Sequence, residues 1–259
     1  MGIILVILFI GGIIYLVRLS SGSRKKSIDH LAIDEIEKLL NDKIDFYNQI
    51  KSTQQKENFK QRVIHFMQHV KFTSVGQAKH ELIDEVYIAS SAIIPIFSFP
   101  DWEYQNIREV LIYDDHFNYD FKVDEDNHIM GMVGDGAMNN TMVLSQRALR
   151  EGFEKNEGSQ TALHEFIHLI DKADGSVDGV PEYLIPKTLV MPWLRHIRAI
   201  MVDIKEDETN INPYASTNES EFFAVISEYF FEKPAMLQRE HPILYDMLNR
   251  MFKRYDDTK

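Results

Sequence analysis

Ala162-Leu163-His164-Glu165-Phe166-Ile167-His168-Leu169-Ile170-Asp171 decides the fold class and most of the chemistry. Leu163, Ile167 and Ile170 recur at helical spacing, so the segment reads as an amphipathic helix with an apolar stripe. Ser159 suits the N-cap and Gly175 the stop. Residues four apart stand one above the other on a helix, so His164 and His168 present two imidazoles to one point in space. That His-Glu-x-x-His pattern is how one Zn2+ takes its first two ligands. Glu165 is turned by about 100° from His164, which places its carboxylate beside such a metal rather than on it. There it acts as a general base on a water.

Catalytic zinc usually keeps three protein ligands and one open position. The 259 residues contain no cysteine, which removes thiolate sites, iron–sulfur clusters, disulfides and a Cys nucleophile. A third histidine six residues after His168 would extend the motif, but Asp174 stands there. The remaining common choice is a carboxylate from a later helix. The stretch 214–230 supplies one: Asn218 is a good N-cap, and Phe222, Val225, Ile226 and Tyr229 form an apolar face. Glu221 and Glu228 lie seven apart, on the same side of that helix, and spacing alone does not choose between them.

Working outward, residues 29–70 carry helical periodicity in Ile33, Ile36, Leu39, Leu40 and Ile44 and again in Phe59, Val63, Phe66, Met67 and Val70. A further helix is expected from about Gln77 to Ile94, ending near Pro95. Val110–Tyr113 and Met142–Ser145 read as short strands, with an acidic, turn-rich segment over 114–127 and a Gly-rich stretch, Gly131–Gly136, between them. Met142–Ser145 is either an edge strand that pairs with a substrate backbone or plain core sheet. Asp171, seven after His164, either hydrogen-bonds a ligand imidazole directly or faces water.

Other candidates carry less. His65 and His69 are also four apart, but two helical histidines are half a site. Asp124–His128 fails the calcium-loop pattern, and Gly131–Gly136 lacks the Lys-Ser/Thr of a phosphate loop. Phe222, Phe223, Phe230 and Phe231 read as core.

Met1–Val17 has no charged residue, and Arg18, Arg24, Lys25 and Lys26 follow it. Seventeen apolar residues are the lower limit for a membrane-spanning helix, and the trailing basic residues place the body in the cytoplasm. A cleaved signal peptide fits less well, because no basic region precedes the run and no Ala-x-Ala site follows it. The net charge of −12 then divides into +4 over residues 1–28 and −16 in the body. Such an acidic body argues against direct nucleic acid binding. With 44% hydrophobic and 26% charged residues, a wholly disordered chain is excluded.

His164-Glu165-Phe166-Ile167-His168 with Asp171 and Asp178-Gly179-Val180-Pro181, and Tyr214 with Glu219-Ser220-Glu221-Phe222-Phe223-Ala224, resemble the Mlc titration factor A family of zinc peptidases. The Tyr-x6-Glu-Phe-Phe-Ala arrangement is also similar to the catalytic domain of anthrax lethal factor. The resemblance covers most of residues 30–259 and excludes the apolar N-terminus. It implies Zn2+ held by His164, His168 and Glu221, Glu165 as general base, and Tyr214 as donor to the oxyanion. It also implies peptidase activity, aminopeptidase-type cleavage included, and binding of a glucose-responsive transcriptional repressor as a partner.

The expected protein is α+β, a mostly helical zincin-like (gluzincin) domain with a small sheet, preceded by one transmembrane helix. Residues 1–19 are the anchor, 20–28 a basic, Ser-rich linker, 29–100 a helical part and 101–259 the catalytic part, with 29–259 as one unit the alternative. The expected activity is hydrolysis of a peptide or protein substrate at the membrane's cytoplasmic face. The other classes are a zinc-containing binding module for a regulator, and a zinc hydrolase acting on something other than peptides.

Overall fold

Asp29 starts the first helix by accepting the His30 amide at 2.7 Å, and Ser52 does the same for the Gln55 amide at 3.4 Å. The helices they open are α1 (His30–Lys43) and α3 (Thr53–His69), with the short α2 (Asp45–Gln49) between them. The computed structural model describes residues 28–117, 129–134, 138–154 and 160–252. The expected anchor and nearly all of the linker lie outside these, as do Ser159 and Asp124–His128. Among the described residues no helix is long and apolar enough to cross a membrane.

Strand β1 (Lys71–Val75) follows α3, and α4 (Leu82–Ile96) follows β1. Helix α4 opens on a reciprocal capping box between Glu81 and Asp84, five residues later than the expected start near Gln77. Pro95 sits inside its last turn rather than ending it. The Arg62 guanidinium holds that end, donating to the carbonyls of Ile96, Phe97 and Trp102 at 3.0–3.2 Å. Every residue from Asp84 to Ile96 is buried, so α4 runs through the centre of the molecule. Its buried Asp84 carboxylate is gripped by Arg150 through Nε and a terminal nitrogen at 2.7 and 2.8 Å, which ties α4 to α5 (Gln146–Glu154).

The four-stranded sheet has the order β1-β2-β4-β3, with β2 at Glu109–Tyr113, β3 at Gly131–Val133 and β4 at Thr141–Ser145. β1, β2 and β4 are parallel, and β3 runs antiparallel along the outside of β4. Met142–Ser145 is therefore core sheet; the edge-strand alternative is corrected to β3. Two of the strands, β1 and β3, were not expected. β3 is three residues long and begins with Gly131, so in sequence it is hidden in a turn-like stretch.

The remaining helices are α6 (Thr161–Asp171), α7 (Lys187–Lys205), α8 (Glu219–Glu232), α9 (Pro234–Glu240) and α10 (Pro242–Phe252). Gln160, not Ser159, occupies the N-cap of α6. One core runs from Ile36 to Phe252 and takes side chains from every helix and from β2 and β4. Trp193 of α7 and Phe222 and Phe223 of α8 are fully buried in it, while Phe231 is only partly buried. The architecture is α+β, mostly helical with a small mixed sheet.

Candidate active site

Leu163, Phe166, Ile167 and Ile170 anchor α6 in the core at 0–1% exposure, which turns Thr161, His164, Glu165 and His168 toward a cleft. The cleft has a volume of about 1040 Å3 and lies between β3, the loop around Val177–Val180, α7 and the start of α8.

The Nε2 atoms of His164 and His168 lie 3.1 Å apart. Glu221 Oε2 is 3.0 Å from the first and 3.3 Å from the second. Asn218 caps α8 by accepting the Glu221 amide at 2.9 Å, which fixes where that side chain leaves the helix. Glu228 faces the same way, as the seven-residue spacing requires, but meets the other nitrogen of His164: its Oε1 lies 2.6 Å from Nδ1. The structure thus separates the two glutamates by which ring atom each approaches.

Each imidazole is oriented from behind. Glu228 accepts from Nδ1 of His164. Ser220 Oγ lies 3.1 Å from Nδ1 of His168 and donates its single proton to Asp171 Oδ2 at 2.9 Å, so the ring donates to Ser220. Both Nδ1 atoms carry protons, and both Nε2 atoms face Glu221. Asp171 is fully buried and reaches His168 only through Ser220; it neither bonds an imidazole directly nor faces water.

Three acceptors within 3.3 Å of one another need a proton or a cation among them. Burial alone would lower the His164 pKa, but hydrogen bonds to Glu221 and Glu228 outweigh it and hold the ring up at about 10. Burial would likewise raise Glu221, yet the two imidazoles hold it well below the usual carboxylate range. Zn2+ with bonds of 2.0–2.2 Å at tetrahedral angles places its donors about 3.3 Å apart, so the donor set fits such an ion. Among the described residues His164, His168 and Glu221 are the group of three with metal-ligating spacing. His65 and His69 do not form a second one: His69 Nδ1 meets the carbonyl of His65 at 2.7 Å, and His65 pairs with Glu103 at 3.3 Å.

Glu165 lies against β3 at 6% exposure, and burial raises its pKa, partly offset by His164 and His168. Tyr214 belongs to a 3-10 turn, Pro213–Ser216, capped by Asn212. Its ring is about half exposed, 6.0 Å from the ring of His164. Sequence reasoning missed Ser220 and Gly131. It also missed that Glu228 supports the histidine rather than competing with Glu221. Only the position of Glu228, seven after Glu221, had marked it out.

A sequence profile of the glucose-regulated metallo-peptidase M90 family matches residues 20–253. An uncharacterized protein of Synechocystis sp. is 29% identical over 230 residues, covering 83% of this chain and 82% of the relative. Mlc titration factor A of Pectobacterium atrosepticum is 28% identical over 177 residues, covering 62% and 64% of the two chains. Mlc titration factor A of Klebsiella pneumoniae subsp. pneumoniae is 25% identical over 216 residues, covering 78% and 80%. These relatives bear out the resemblance carried by the two motifs.

Proposed function

The chain belongs to the glucose-regulated metallo-peptidase M90 family, and from that premise we propose that it is a zinc-dependent peptidase whose site is the cluster of His164, His168 and Glu221. The observation that carries the reading is the convergence of those three side chains beside the buried Glu165, in a cleft bordered by β3, the outer strand of the sheet.

His164, His168 and Glu221 would hold the metal. When bound there, Zn2+ lowers the pKa of a water and polarises the carbonyl to be cleaved. Glu165 takes the water proton and passes it to the leaving amine; its raised pKa brings it nearer the operating range of a general acid–base. Tyr214 reaches in from the cleft mouth and donates its phenol to the oxyanion. Met130 and Gly134 spend their backbone groups on β4, through Met130 O to Ser145 N and Gly134 N to Thr141 O, each at 2.8 Å. By strand alternation Gly131 and Val133 turn theirs outward, where an extended substrate backbone adds as a further strand.

The uncharged, apolar run Met1–Val17 and the basic residues Arg18, Arg24, Lys25 and Lys26 that follow it support a second part of the proposal. Residues 1–19 anchor the protein, with the catalytic part at the cytoplasmic face. Fractionation of the full chain against a chain starting at residue 29 tests it: both forms in the soluble fraction would remove the anchor.

The name of the relatives, Mlc titration factor A, favours one other reading, a zinc-holding module that engages a transcriptional regulator without hydrolysis. Elemental analysis of the purified protein, run with a generic peptide screen before and after chelation, separates the two. One zinc per chain and chelator-sensitive cleavage support the peptidase; zinc without cleavage supports the module; no zinc removes both.

A further inference from the structure

Gly179 is held from three sides. Its N–H donates to Asp171 Oδ2 at 2.9 Å, and its carbonyl accepts from the buried Trp193 Nε1 at 2.7 Å. Its φ is +73°, and a Cβ on it would stand 2.2 Å from the Glu219 carbonyl oxygen, so no other residue fits that approach. One residue, through the two peptide groups that flank its Cα and the close approach at the Cα itself, therefore joins α6, α7 and the first turn of α8. Its neighbours Val177, Asp178 and Val180 line the cleft.

The same Asp171 oxygen that holds Gly179 also accepts from Ser220, which immediately precedes Glu221 and takes the Nδ1 proton of His168. The second oxygen, Oδ1, is buried without a hydrogen-bond partner among the described residues. A single carboxylate oxygen thus serves both the cleft loop and the metal-site histidine.

We propose that Ser220 and Asp171 are positioning residues that couple the order of the 177–180 loop to metal occupancy at His164, His168 and Glu221. The chain of donors runs one way: His168 to Ser220, Ser220 to Asp171, with Gly179 donating to the same acceptor. Once Nε2 of His168 is engaged by a metal, the ring no longer rotates. A fixed ring fixes the Ser220 hydroxyl, and a fixed hydroxyl holds Asp171 in the rotamer on which Gly179 hangs. Because linkage is reciprocal, a loosened loop weakens metal binding by the same factor. The inference rests on the metal-holding part of the proposed function and not on hydrolysis, so it is tested with zinc alone.

The measurement is hydrogen exchange of the Gly179 amide in the full chain, with and without zinc, and the Val143 amide of the core strand as control. Zinc slows Gly179 exchange in the wild type by about tenfold or more relative to Val143. In Ser220→Ala, at saturating zinc, that slowing is lost, and zinc affinity falls about 10- to 100-fold. Ser220→Thr, which keeps the hydroxyl, restores the slowing. Trp193→Phe tests the reverse direction without touching the metal cluster: it frees the Gly179 carbonyl and weakens zinc binding about fivefold. Equal slowing in wild type and Ser220→Ala, no slowing in a zinc-bound wild type, or unchanged affinity in a folded Trp193→Phe would each overturn the coupling. A wild type that binds no zinc would overturn the site reading itself, and the coupling with it.

Discussion

Gly131 and Glu165 lie so close that a Cβ on Gly131 would stand 2.9 Å from Glu165 Cγ and 3.0 Å from Oε1. The same Cβ would stand 2.6 Å from Thr161 Cγ2. The absence of a side chain at Gly131 of the edge strand is what lets α6 seat its carboxylate beside the cluster. Gly131→Ala is expected to push Glu165 out of line, lowering kcat about 10- to 100-fold while zinc content stays at the wild-type level. Wild-type kcat in a folded Gly131→Ala would show that this contact does not position the base.

Glu228 fixes the tautomer of His164 through the 2.6 Å contact at Nδ1. Glu228→Ala leaves the three donor atoms in place but releases the ring, so zinc affinity falls about 10- to 100-fold. Competition against a chelating dye measures this. An unchanged affinity would mean that the ring is held by packing alone.

Arg150 is expected to matter for stability rather than chemistry. Arg150→Met leaves the buried Asp84 carboxylate without its bidentate partner, keeping only Gln146 at 2.8 Å and the Glu81 amide at 2.8 Å. The loss is on the order of 3 kcal/mol in urea unfolding. A change below about 0.5 kcal/mol, typical of exposed pairs, would place the interaction in that weaker class.

Glu232 supplies a pH dependence away from the cluster. Burial, then the nearby Glu228, push its carboxyl up to about 7, against 4.5 for an ordinary glutamate. Its Oε1 is buried without a partner among the described residues, while the Gln160 amide at the start of α6 donates to the carboxylate. Between pH 4.5 and 7 the folded chain keeps a proton that the unfolded chain has released. Glu232 therefore costs nothing below the lower value, and stability falls as pH rises through the interval. Glu232→Gln keeps the acceptor for Gln160 and removes the ionisation. Its melting temperature should exceed the wild type's increasingly from pH 5 to pH 8, with a stability gain on the order of 2 kcal/mol at the upper end. A difference between the two proteins that is constant with pH would contradict this.

Sequence made the two functional helices legible because their evidence is local. The four-residue step from His164 to His168 and the seven-residue step from Glu221 to Glu228 survive any arrangement of the rest of the chain. The assignment of Glu221 over Glu228 came from resemblance alone, since both face one side of α8. What distinguishes them is which nitrogen of His164 each meets, and that depends on how α8 packs on α6. The relay from His168 through Ser220 to Asp171 joins residues 52 and 49 positions apart, and no local pattern announces it. The place of the Met142–Ser145 strand in the sheet stayed open for a similar reason. Alternation identified Met142–Ser145 as a strand, but only the placement of β3, three residues beginning with a glycine, showed it to be interior.

The central claim, that Glu165 acts as the base beside a zinc held by His164, His168 and Glu221, is tested most directly by measuring zinc content and peptide turnover together in wild type and Glu165→Gln. One zinc per chain in both proteins is expected, with turnover falling about 100- to 10,000-fold in the variant. Wild-type turnover in a zinc-loaded Glu165→Gln would contradict it.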